Sequence, residues 1–127
     1  MNTLTTWSRR WGPSLLMMAL IFTASSTPGS ELPHFGIWDF ILKKGAHMLG
    51  YALLGASFMH GLTYPASSVR RLMLLATVMA GLYAMSDEFH QFFTRDRTPS
   101  WMDVGIDTAG AALGAWIWVR IKSMLPA

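Results

Sequence analysis

The sequence predicts an all-α membrane protein, a bundle of four transmembrane helices forming one domain over residues 1–127. Three observations predict it. Hydrophobic residues make up 52% of the chain, more than a soluble domain of this size buries. Four apolar segments reach or approach the roughly 17 to 25 residues that cross a bilayer. Charged residues are scarce, 13% in all, and gather in small groups between those segments. With no cysteine, disulfides and thiol chemistry are excluded. A net charge of +3 invites a nucleic-acid reading, but the bases flank apolar runs without forming a stripe or a stacking platform. No nucleic-acid partner is expected.

The first span is read at about 11–25. It is the shortest. Arg9, Arg10, a short apolar core and the small residues Ala24, Ser25 and Ser26 also fit a cleaved signal peptide, with retention as the main reading. A loop rich in turn formers follows, with Pro28, Gly29, Pro33 and Gly36. Within it, residues 37–42 have the aromatic pattern of a short interfacial helix, with an ordered loop as the alternative. The second span is read at 45–64. It is followed by a tight connection over 64–68, because Pro65 cannot continue a helix. The third is read at 72–93 and the fourth at 101–119. The loop between them is short enough to make them antiparallel neighbours. Orientation follows from the positive-inside bias. Arg9, Arg10, Arg70, Arg71, Arg120 and Lys122 share the side of both termini. Lys43, Lys44, Arg95 and Arg97 share the other side with all seven acids. Termini are therefore expected in the cytoplasm.

The chemistry concentrates at the outer end. Asp87, Glu88, Asp96, Asp103 and Asp107 fall close together with Arg95 and Arg97. Ionisable groups at a membrane are costly and persist when paired, hydrated or used. On span two, Lys44, His47 and Tyr51 follow i, i+3, i+7 spacing and share a face. On span three, Asp87 and Glu88 lie four and three residues before Gln91. On span four, Asp103, Asp107, Gly110 and Gly114 form a ladder on one face, and the glycines allow another helix close approach. That seam is also a candidate contact for a homo-oligomer. All nine polar residues, Arg97 included, are ligand-binding candidates. In the leading assignment Lys44 and Arg97 hold anionic groups, while Glu88, Gln91 and Asp103 orient hydroxyls or amines. For catalysis, Glu88 or Asp103 is the candidate base and His47 the acid or relay. The structural alternative makes Lys44, Arg97, Glu88 and Asp103 an ion-pair network that fixes packing. No HxxxH or HExxH pair favours a metal, and no phosphate loop or dinucleotide fingerprint favours a cofactor. His90 turns from the Asp87 and Gln91 face, and His60 lies at the opposite end. Neither is assigned to the site.

At these residues the chain resembles the VanZ-like family of bacterial membrane proteins. Ser25, Ser26, Thr27 and Pro28 match a Ser-rich end to the first span. Lys44, His47 and Tyr51 match Lys-x-x-His-x-x-x-Tyr. Asp87, Glu88 and Gln91 match Asp-Glu-x-x-Gln, followed by an aromatic at Phe93. Arg97, Asp103, Gly110 and Gly114 complete the ordered set. The chain departs from many relatives at Asp107, where Asn is common, and at Gly50, where Glu is common. The resemblance implies a multi-pass protein of the bacterial plasma (inner) membrane. Name-giving members are associated with low-level teicoplanin resistance. The expected function is binding of an envelope lipid or cell-wall-related headgroup. The alternatives are an enzyme acting on such a component, a transporter or channel subunit, and a structural or assembly subunit.

Overall fold

Each apolar segment is one long helix in the computed structural model, which describes residues 2–62 and 68–126. Helix α1 is Thr3–Ser26, α2 Asp39–Leu62, α3 Val69–Gln91 and α4 Trp101–Met124. No strand occurs among the described residues. The tight turn expected at 64–68 lies, apart from Ser68, outside them. All four helices are longer than the spans read from hydropathy, because polar flanks also propagate helical backbone, although α3 stops at Gln91, short of the end expected at 93. Among the described residues, α3 alone is both long and apolar enough to qualify as a membrane-crossing helix. Ser, Thr, Gly and Trp dilute the other three, and charged residues sit at their ends.

The segment expected as a separate interfacial helix is a correction. A 3-10 turn at Gly36–Trp38 runs directly into α2 at Asp39, so residues 39–42 are the first turn of that helix. Gly36 starts the turn at φ 63°, a left-handed conformation that glycine adopts without steric cost.

Helices α2 and α4 share the most extensive interface, and α3 packs on α4 beside it. Small residues permit this. A Cβ built on Gly110 comes 2.7 Å from the carbonyl oxygen of Met48, and one on Gly114 collides with the Ala52 carbonyl. Gly55 meets Ala111 in the same way from the α2 side. The Gly110 and Gly114 seam expected between copies is thus filled within the chain.

The interior combines alanines and polar groups with large apolar side chains, among them Tyr51, Leu54, Phe58 and Leu72. Ala76, Ala80, Ala84, Ala111 and Ala115 are fully buried, whereas Leu16, Leu49, Leu74 and Leu82 are each more than 60% exposed.

Two helix defects are answered by side chains from neighbouring helices. Pro13 lies inside α1 and has no N–H, which leaves the Arg9 carbonyl four residues earlier without its helical donor. His60 Nε2 lies 3.1 Å from that oxygen. Arg10 Nε donates to the Gly61 carbonyl at the end of α2, where a cation also complements the helix dipole.

Candidate functional site

The N-terminal ends of α2 and α4 and the C-terminal end of α3, with the two loops beside them, line an open polar cavity of about 410 Å³. Seven of the nine sequence candidates line it: Lys44, His47, Glu88, Gln91, Arg97, Asp103 and Asp107. Tyr51 and Asp87 lie off the cavity wall, buried among the helices. The helical spacing of each set places these groups on one face. Close α2–α4 packing then brings the faces together.

On the wall the charges are paired across helices. Lys44 donates to Asp103, and its ammonium also sits over the Phe40 ring, 5.7 Å from the centroid. His47 Nδ1 lies 3.1 Å from both oxygens of Asp107. At the rim Lys43 contacts Asp39 at 2.8 Å, and that hydrogen bond holds the Asp39 carboxyl below its ordinary range. Glu88 takes a different partner. Its Oε2 accepts from the Ser100 backbone N–H at 2.9 Å, at the start of α4. Ser100 is also the N-cap, its hydroxyl accepting from Met102 N–H.

Behind the wall, with Gln91 shared between the two, lies a buried polar layer. The Tyr51 hydroxyl donates to Asp87 Oδ2 at 3.2 Å. Gln91 Nε2 donates to the Ser25 hydroxyl at 3.3 Å and approaches the same Asp87 oxygen at 3.5 Å. Asp87 Oδ1 is buried and has no hydrogen-bond partner.

Arg97 is placed differently from either sequence reading. Its Nε and Nη2 donate to the carbonyls of Thr27 and Ala24, at 3.0 and 2.7 Å. Those carbonyls lie in and just past the last turn of α1, where Ala24 O also accepts from the Thr27 N–H, so the guanidinium adds to the helix cap and complements its dipole. It makes no ion pair with Glu88 or Asp103, and the network expected from sequence reduces to Lys44 with Asp103.

The sign of the cavity follows. Its wall carries five acids, Asp39, Glu88, Asp96, Asp103 and Asp107, against the bases Lys43, Lys44 and Arg97 and two histidines. Both lysines are paired with acids and Arg97 is engaged with carbonyls. Glu88 and Asp96 have no cationic partner among the described residues.

Three contributors fall outside the candidate set read from sequence. Ser25, read there only as part of the Ser-rich end of the first span, is fully buried and anchors Gln91. Tyr83, one turn before Asp87, donates to the Met18 carbonyl at 2.6 Å and ties α3 to α1. Asp96 has φ 57°, a conformation that Asp tolerates better than most residues. Its backbone packs against Gly29, and Gly29 N–H donates to Arg95 O at 3.0 Å, which zips the two rim loops together. His90 bonds the Ser26 hydroxyl and stacks on Phe22, outside the site as expected.

Four long helices, closely packed through glycine and alanine at the α2–α4 contact and carrying a polar cavity at one end, define a class of helical bundle proteins. The chain belongs to the VanZ/LLP1 family, whose model matches residues 10–122. No curated protein and no solved structure matches it.

Proposed function

We propose that this chain is a four-span protein of a bacterial plasma membrane whose outward cavity takes the amine-bearing head of an envelope amphiphile. The membrane reading rests on the exposed surface and the helix contacts: Leu16, Leu49, Leu82 and Ile121, one on each helix, stand at least half exposed, while glycines and alanines bring α2 and α4 together. In lipid, helices associate through small residues, because apolar side chains gain nothing by leaving the bilayer. The cytoplasmic location of the termini is part of the same proposal.

The observation that carries the ligand reading is the acid excess with its bases already committed. An anionic head meets Glu88 and Asp96 without a free cation to compensate. A protonated amine or a hydroxyl finds acceptors there, and charge-assisted hydrogen bonds are the stronger kind. This shifts the role of Lys44 and Arg97 from anion clamps to scaffold.

Native mass spectrometry tests it, with the protein released from vesicles holding ethanolamine, choline and glycerol phospholipids in equal amounts. Preferential retention of the ethanolamine lipid, lost in Glu88→Gln with Asp96→Asn, supports the reading. Equal retention of all three heads contradicts it.

One observation favours a second reading. The His47–Asp107 pair on the wall is an oriented imidazole of the kind general acid–base catalysis uses. In that reading Glu88 or Asp103 is the base. Identical envelope lipid profiles in cells with wild-type protein and with His47→Gln would sink it. A link to teicoplanin, carried by the name-giving members of the family, enters here as a corollary, read as a change in susceptibility on deletion.

A further inference from the structure

Beside the polar cavity, an apolar groove of about 580 Å³ runs between the outer ends of α3 and α4. Met85, Phe89, Phe92, Trp101 and Met102 line it, and Glu88 belongs to the walls of both spaces. The four side chains Phe89, Phe92, Trp101 and Met102 are 69% to 78% exposed, an open apolar surface at the depth of the polar cavity. From these facts we infer that the groove is a lateral portal. The ligand's acyl chain lies between α3 and α4, and its head passes Glu88 into the cavity. This rests on the headgroup reading above and names the route and the two-part chemistry of the ligand.

A second groove also reaches the cavity, between α1 and α2, where Gly50 leaves space beside Met17, Leu20 and Ile21. It is smaller, about 200 Å³. Its polar threshold is His47, which is already held by Asp107. The α3–α4 threshold is Glu88, a carboxylate without a cationic partner, fixed in direction by the Ser100 N–H. An amine head entering there meets its acceptor at the boundary between the two spaces, while its chain stays in apolar surroundings throughout. Leaving bilayer for groove costs the chain little and gains little, so selection falls to the head.

The test is photo-crosslinking. Benzoylphenylalanine replaces Phe92, Met102, Leu20 or Leu82 one at a time, in choline-phospholipid vesicles doped with ethanolamine phospholipid. Leu20 reports the α1–α2 groove and Leu82 a helix surface away from both. Captured ethanolamine lipid should exceed its bulk share at Phe92 and Met102 and match it at Leu20 and Leu82. Glu88→Gln should reduce that excess by about tenfold, the loss of one charge-assisted hydrogen bond. A second variant, Val104→Trp, narrows the groove without touching Glu88 and should abolish the excess. If native mass spectrometry retains the ethanolamine lipid while Phe92 and Met102 capture lipids in bulk proportion, or the excess appears at Leu20, the portal is wrong and the headgroup reading stands. If no ethanolamine lipid is retained at all, both fall together.

Discussion

Tyr51, Asp87, Gln91 and Ser25 hold one another in a layer with almost no access to solvent, and single atoms there have measurable weight. Tyr51→Phe removes the one donor that reaches Asp87 at 3.2 Å. The variant should lose about 1–3 kcal/mol of stability in detergent unfolding, because a buried carboxylate is left less satisfied. An unchanged midpoint would show that the bond carries nothing. Pro13 and His60 form a second local unit. Pro13→Ala restores the N–H that the Arg9 carbonyl lacks, so His60→Ala should cost about 1 kcal/mol beside Pro13 and less beside Ala. Additive effects across that double-mutant cycle would contradict the pairing. At this scale the sequence was partly legible. Spacing placed Lys44, His47 and Tyr51 on one face and Asp103 and Asp107 on another. Spacing does not report what lies across from a face. Arg97 therefore read as a partner for acids, when its nearest acceptors are the carbonyls that end α1.

Helix packing turns on where glycine is required. Gly114 meets the Ala52 backbone, whereas Gly105 on the same helix has open space where a Cβ would go. Gly105→Ala should stabilise by up to about 1 kcal/mol through helix propensity. Gly114→Ala should destabilise by about 1–3 kcal/mol, since α2 and α4 must separate. Thermal unfolding of both variants in one detergent gives the comparison, and shifts of equal sign would contradict the α2–α4 approach. Gly29 plays the matching part at the cavity rim. A Cβ there collides with the Asp96 backbone, so Gly29→Ala should part the two loops and weaken ligand retention more than fold stability. The existence of four helices was legible because long apolar runs dominate. Their true ends were not. Hydropathy marks where a chain is apolar, whereas Arg9, Arg10, Asp39 and Lys43 are helical without being apolar.

Across the whole molecule many large aliphatic side chains stand exposed, alanines and glycines sit among the buried residues, and a charged cavity lies at one end. A cysteine-free chain permits a direct check of its placement in the membrane. A lone cysteine at Thr98 should label with an impermeant reagent in intact cells, and one at Arg120 only after permeabilisation. The reverse pattern would overturn the orientation, and with it the outward-facing cavity. What the cavity prefers was not legible from the sequence, because a list of acids and bases does not say which of them are already spent on one another. Lys44 decides the matter. If its ammonium only neutralises Asp103, Lys44→Met leaves the cavity more acidic, and retention of ethanolamine phospholipid in native mass spectrometry should hold or rise relative to the glycerol phospholipid. If Lys44 is instead the clamp for an anionic head, the same substitution should lose a glycerol phospholipid that the wild-type protein retained, and that result would contradict an amine-selective site.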